Sequence, residues 1–310
     1  MTATGMDAVR LEGVTKSYGK QAAVSALDLA VPEGSIYGFI GPNGSGKTTT
    51  IRMILHIIHP DSGRVEVLGN SATRAANDHI GYLPEERGLY RKMTVNRVLA
   101  YFGAIKGMPT REARTESKRW LDRLGLADAG KKKVEALSKG MAQKVQFIAS
   151  ALAHPKLIIL DEPFSGLDPV NLELVRDQIL TLRDAGTTVI FSTHDMSAAE
   201  ALCDSVFMIY KGEKVLDGSL DEIKARYGED TIRVACEGGS DPVRALSGID
   251  AFSDLGSHQE LRTSRDPQAV LRELAGAAAV HHFEIKRPSL HDIFVRIAKV
   301  SPTEESLPPG

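Results

Sequence analysis

The stretch Gly41-Pro42-Asn43-Gly44-Ser45-Gly46-Lys47-Thr48 constrains the fold of this chain more than any other. It fits G-x-x-x-x-G-K-[ST], a loop whose backbone N–H groups wrap an anion. Before it runs Ser35-Ile36-Tyr37-Gly38-Phe39-Ile40, which reads as a buried strand; after it runs Thr49-Thr50-Ile51-Arg52-Met53-Ile54-Leu55, which reads as a helix opening. Strand, loop and helix in that order aim loop amides and the positive end of a helix dipole at one point. That point suits nucleotide phosphates, cradled by Gly41, Pro42, Asn43, Gly44, Ser45, Gly46 and Thr49. Lys47 is expected at the β- and γ-phosphates, and the Thr48 hydroxyl on Mg²⁺.

At 310 residues the chain is long enough for two domains. A net charge of −2 shows no basic excess of the kind that points to nucleic acid. Lys131-Lys132-Lys133 is a short run and reads as a solvated loop. No apolar stretch approaches the roughly 18 residues of a membrane span, and no apolar signal peptide opens the chain. Cys203 and Cys236, far apart, read as reduced cytosolic thiols.

Alternating segments at 9–14, 26–31 and 64–69 predict strands, and 80–83 a short apolar one. From Thr94, an expected N-cap, Val95, Val98, Leu99, Phe102 and Ile105 recur at helical spacing. A charged helix is expected over 110–124. A third follows Ser138, with Met141, Val145, Ile148 and Leu152 on one face. Leu157-Ile158-Ile159-Leu160 and Thr188-Val189-Ile190-Phe191 read as buried parallel strands, and residues 206–216 as a hairpin through Gly212. A helical insertion, about 87–155, therefore interrupts an α/β core extending over 1–225. Residues 226–300 read as a small C-terminal α+β accessory domain, with strands at 232–235, 261–263 and 283–285 and helices at 268–275 and 290–300. Ser289-Leu290-His291-Asp292 resembles a capping box. Three prolines and few apolar residues make 301–310 an expected disordered tail. His281, His282 and His291 lack both nearby cysteines and a firm metal-ligand spacing.

The strand 157–160 ends in Asp161 and Glu162. At a sheet edge beside the P-loop, Asp161 suits a role in orienting Mg²⁺, and Glu162 one in polarising a water for attack on the γ-phosphate.

With these motifs in series, the chain resembles the ATP-binding subunits of ATP-binding cassette (ABC) transporters over about residues 8–225. Leu137-Ser138-Lys139-Gly140-Met141 falls where the family carries its signature. Ser165-Gly166-Leu167-Asp168 matches the D-loop, His194 the switch histidine, and Tyr18 the aromatic that stacks on adenine. The resemblance implies a P-loop ATPase core with a helical subdomain, ATP and Mg²⁺ as cofactors, and Glu162, His194 and Lys47 as catalytic residues. It also implies Thr48, Glu85 and Asp161 at the metal. Two nucleotides would be sandwiched in a head-to-tail dimer, with Ser138, Gly140 and Asp168 facing the second copy's nucleotide.

The chain departs from the family at Lys139 and Met141 in the signature and at Glu85, where glutamine is usual. The signature, the run 82–90 and Pro288-Ser289-Leu290-His291-Asp292-Ile293-Phe294 look like ABC-2 type exporters, including sodium- and drug-efflux (Nat-type) ATPases. The implied protein is cytoplasmic, peripheral on the inner face of the cell membrane through a separately encoded transmembrane permease. Residues 85–90 and the helix carrying Tyr101 and Phe102 are the expected docking groove. The C-terminal domain is expected to serve dimer assembly or regulation and to be dispensable for nucleotide binding. The alternative is a non-transport ABC ATPase acting on nucleic acid or ribosomes, whose usual second cassette, coiled-coil insertion and zinc cysteines are lacking here. A third, a regulatory subunit without ATPase activity, sits poorly with Lys47, Asp161, Glu162 and His194 together.

Overall fold

The computed structural model describes residues 6–71, 78–86, 88–227, 231–286 and 288–298. Arg87 of the expected docking loop, the last residues of the helix expected at 290–300 and the tail 301–310 lie outside them. The chain divides into two compact units between Ser219 and Leu220.

The first unit is organised by apolar runs without alternation. Strands β3 (Ile36–Ile40), β7 (Leu157–Asp161) and β8 (Thr188–Thr193) are buried at every position. A strand buried on both faces belongs inside a parallel sheet covered on both sides. They form the centre of a six-stranded sheet with order β10-β9-β3-β8-β7-β6. Strands β6 (Ile80–Leu83), β7, β8, β3 and β9 (Ser205–Tyr210) run parallel, and β10 (Glu213–Ser219) closes the edge antiparallel to β9. A second, four-stranded sheet holds β1 (Asp7–Tyr18), β2 (Gln21–Pro32), β4 (Ser62–Val67) and β5 (Asn70–Ser71), all paired antiparallel.

Register decides function here. Ile40 at the end of β3 pairs with Thr193 at the end of β8, and Asp161 at the end of β7 pairs with Ser192. The chain therefore leaves three neighbouring parallel strands at one sheet edge. That edge is where open α/β sheets bind ligands.

Helix α1 (Lys47–Ile54) follows the P-loop. The helical insertion contains α2 (Val95–Ile105), α3 (Thr110–Arg123) and α4 (Lys139–Ala151). Trp120 packs edge-on to Phe147, 5.9 Å between centroids, locking α3 to α4. Two local expectations need correction. Thr94 occupies the N-cap position of α2, but its side chain makes no capping bond. The Val95 and Asn96 amides are met instead by the carbonyls of Lys132 and Gly130, so a neighbouring turn does the capping. Helix α4 buries more than one face: Gln143, Lys144 and Gln146 are as buried as its aliphatic residues, whereas Met141 is only half-buried.

Helices α5 (Pro169–Asp184) and α6 (Met196–Leu202) complete the first unit. The second opens with α7 (Leu220–Arg226), a helix without a counterpart in the sequence reading. Its sheet has the order β12-β13-β11-β14, built from β11 (Thr231–Cys236), β12 (Ala251–Asp254), β13 (Gln259–Arg262) and β14 (Val280–Lys286), all antiparallel. Ile232, Val234 and Leu261 face Val243, Val270 and Leu274 of the short helix α8 (Asp241–Arg244) and of α9 (Pro267–Ala277). Helix α10 (Leu290–Ala298) opens with the expected box: Ser289 N and Oγ donate to Asp292 Oδ2 at 3.0 and 2.6 Å, and Asp292 N donates back to Ser289 Oγ at 3.1 Å.

Candidate nucleotide site

The P-loop conformation depends on glycine at defined points. Gly41, Gly44 and Gly46 have φ of 149°, 75° and 117°. A Cβ at Gly41 would lie 2.3 Å from the Ile209 carbonyl oxygen, and one at Gly46 2.5 Å from that of Ala23. No side chain fits at either position without displacing that backbone.

The loop borders a cavity of about 240 Å³ lined by Asn43, Gly44, Gly46, Lys47, Thr48, Thr49, Glu85, Asp161, Glu162 and Ala23. Lys47 is buried, and its ammonium donates to the carbonyls of Gly41 and Pro42 at 2.6 and 3.1 Å. Burial pushes the Lys47 ammonium down, against the pull of Glu162, Asp161 and Glu85. Asp161 is 2% exposed, and burial raises its carboxyl against the opposing effect of the Ser192 hydroxyl, with the charges of Glu85 and Glu162 adding to the rise and Lys47 opposing it. Its Oδ2 is buried without a hydrogen-bond partner. Three carboxylates thus face one ammonium, and one of their oxygens is orphaned. This site is short of positive charge.

Glu162 stands just past β7 with φ of 49°, a strained value for a residue with a side chain. Its Oε1 accepts from the His194 amide at 2.9 Å and lies 2.6 Å from His194 Nδ1. Thr193 Oγ1 donates to Oε2 at 3.3 Å. The β7 and β8 termini therefore hold the carboxylate and the imidazole together, with His194 61% exposed. Tyr18, 53% exposed, borders an adjoining hollow that shares Ala23, Gly44 and Thr49 with the P-loop cavity.

Ser138, Gly140 and Asp168 do not line the P-loop cavity. They gather at a separate place. Ser138 Oγ caps α4 by accepting from Met141 N at 3.2 Å, and Asp168 caps α5, accepting from Asn171 N at 3.0 Å. The Lys139 stem lies over Gly166, 3.2 Å from where a Cβ would be.

Sequence reasoning missed four contributors. Buried Gln143 donates to the carbonyls of Glu162 and Pro163 at 3.4 and 3.1 Å. Gln146, one turn on, donates to those of Pro84 and Glu86 at 2.9 and 3.1 Å. Helix α4 thereby holds both the Glu162 turn and the Glu85 loop. Two amides at i, i+3 inside an apolar helix were the available signal, since buried polar groups need partners. Thr193, the third, looked like ordinary strand sequence, and Lys211, which borders the Tyr18 hollow, like a hairpin turn residue. Outside the cavity, Tyr90 and Tyr101 are 48% and 39% exposed and stack edge-on at 5.3 Å, beside half-buried Phe102.

Comparison with known proteins identifies the family. Residues 24–165 match the ABC transporter family, and residues 218–298 match the C-terminal domain of DrrA1-3-like ATP-binding proteins. The ABC transporter ATP-binding protein YhaQ of Bacillus subtilis is 41% identical over 92% of this chain and 96% of its own length. The daunorubicin resistance ATP-binding protein DrrA3 of Streptomyces coeruleorubidus is 32% identical over 94% of this chain and 95% of its own. A solved ATP-binding subunit of an ABC transporter superposes with a TM-score of 0.67 at 28% identity, covering 71% of this chain and 93% of that one. The chain belongs to the ATP-binding proteins of ABC transporters, of the DrrA-like exporter type, and is a nucleotide-binding ATPase whose hydrolysis is coupled to transport.

Proposed function

We propose that this chain drives an ABC-2 type exporter as a head-to-tail dimer, peripheral to the membrane through a separate permease. One observation carries the dimer: Ser138, Gly140 and Asp168 cluster away from the cavity that holds Lys47, Asp161 and Glu162. A second copy, inverted, brings the α4 N-terminus over the γ-phosphate end of the first copy's site, where its amides and dipole meet negative charge.

In this reading the loop amides and Lys47 bind the phosphates, and Tyr18 stacks on the base. Glu162 accepts the proton of the attacking water, while His194, paired to the same carboxylate, orients it toward the γ-phosphate. The orphaned Asp161 oxygen, with Thr48 and Glu85 on the same cavity, suits a divalent cation. Mg²⁺ at that place would neutralise phosphate charge. The export direction rests on a relative named for daunorubicin resistance, which fits outward transport of a drug. Tyr90 and Tyr101 suit anchors for the permease, because amphipathic aromatics order at little entropic cost. Among the described residues no helix is long and apolar enough to cross a membrane, which leaves the crossing to that partner.

The test is Glu162→Gln. Hydrolysis is expected to fall by about 10²–10⁴-fold, the usual contribution of a general base. Sizing chromatography with ATP and Mg²⁺ should then show a dimer. Adding Ser138→Arg to the same chain should abolish that dimer with nucleotide still bound. A dimer that survives Ser138→Arg would overturn the sandwich while leaving the ATPase assignment standing.

A further inference from the structure

The second unit contains a cavity of about 530 Å³ that no part of the ATPase cycle uses. That volume falls within the roughly 300–1,000 Å³ typical of small-molecule sites. Its walls are the sheet face opposite the core and helix α10. Alternation puts Ile232, Val234 and Leu261 into the core and turns Arg233, Glu260 and Arg262 to the other face. From α10, Phe294 and Val295 add apolar surface.

The charges at this cavity do not cancel. Its two acids, Glu260 and Asp292, already have partners. Glu260 Oε1 accepts from Arg233 at 3.0 Å and from Lys286 at 3.1 Å. Asp292 is occupied by the Ser289 cap. The guanidinium of Arg262 has no hydrogen-bond or ion-pair partner among the described residues, although the side chain is half-buried and on the cavity wall. A half-buried guanidinium beside apolar walls calls for a bidentate anion carrying a hydrophobic body.

We propose that this cavity binds an organic anion with an apolar tail, its carboxylate or phosphate head on Arg262 and its tail against Phe294 and Val295. The site belongs to the C-terminal unit alone and does not depend on the dimer. It gives that unit a ligand of its own, separate from ATP.

The experiment is calorimetric titration of the full-length chain with decanoate and with decyl phosphate, in saturating ADP so that the P-loop is filled. Decanol and inorganic phosphate are the controls. Saturable binding of either amphiphile is expected, the tighter of the two naming the head group. Arg262→Glu should weaken it by about tenfold or more, and Arg262→Gln by less, since it removes the charge without reversing it. Thermal melts check that both variants fold. Absence of binding by both amphiphiles, equal binding of decanol, equal binding of inorganic phosphate, or unchanged affinity in folded Arg262→Glu would each overturn the proposal.

Discussion

Asp161 of the nucleotide unit and Asp292 of the C-terminal unit are the same residue type under opposite conditions. Asp161 is buried at the end of β7, with an orphaned oxygen and two other carboxylates near it; burial raises its pKa. Asp292 is half-buried at the start of α10. The hydrogen bonds from Ser289 hold its carboxyl below the usual range, more than offsetting the opposing effect of burial. A carboxylate that satisfies local backbone groups stabilises the fold. One whose folded pKa is raised costs stability near neutral pH, and persists where a ligand offsets that cost. The difference separates structural acids from functional ones without reference to any motif.

The comparison breaks first at the buried cation of the nucleotide site. Lys47→Ala removes the ammonium that Glu162, Asp161 and Glu85 surround, so nucleotide affinity should fall by about 10- to 100-fold, the scale of a charge-assisted hydrogen bond. Fluorescent-nucleotide titration at fixed Mg²⁺ measures it, and unchanged affinity would remove Lys47 from the phosphates.

Asp161→Asn sharpens the contrast directly. Without nucleotide the variant should melt about 2–4 °C higher, the scale of ~1 kcal/mol in a domain of this size, because a buried charge is gone. The further rise in Tm that ATP with Mg²⁺ produces should shrink sharply. Sign follows from linkage. A raised folded pKa means that the cost of Asp161 is present above that pKa and is relieved as pH falls through it toward the ordinary 3.8. The gain in Asp161→Asn should therefore diminish in acid. A variant that melts lower at neutral pH would show that the carboxylate is structural.

The smallest effect is expected at Asp292→Ala. Loss of the reciprocal cap should destabilise the C-terminal unit by ~1 kcal/mol. The folded pKa of Asp292 is lowered, so its contribution is full above the ordinary 3.8 and is lost as pH falls through the folded value. Thermal melts of wild type and variant should converge in acid, and nucleotide affinity should stay within about twofold of wild type. An altered affinity would tie this cap to the nucleotide site.

Much of the nucleotide site was legible because its chemistry is local in sequence. Gly41, Gly44, Gly46 and Lys47 sit within one turn of chain, and Asp161 and Glu162 follow one apolar strand. The C-terminal unit was harder. Its β12 is mostly exposed, with only Phe252 packed toward the core, so it lacked an apolar pattern to detect. Helix α7 has Ile223 as its one buried residue, too little for a periodic signal.

By itself the sequence determined the loop that surrounds phosphate, the strands too apolar for anything but a sheet interior, and the residue types able to move a proton. Those depend on backbone freedom, hydrophobicity and side-chain chemistry, which a residue carries wherever it sits. Only the tertiary structure decided that β3, β7 and β8 lie side by side, so that Lys47, Glu162 and His194 reach one edge. Only it left Asp161 with an unpaired oxygen, bound Gln143 and Gln146 to the loops they hold, and kept Ser138 away from the P-loop cavity. Those facts arise from strand register and from burial, and both are settled by contacts between residues far apart in the chain.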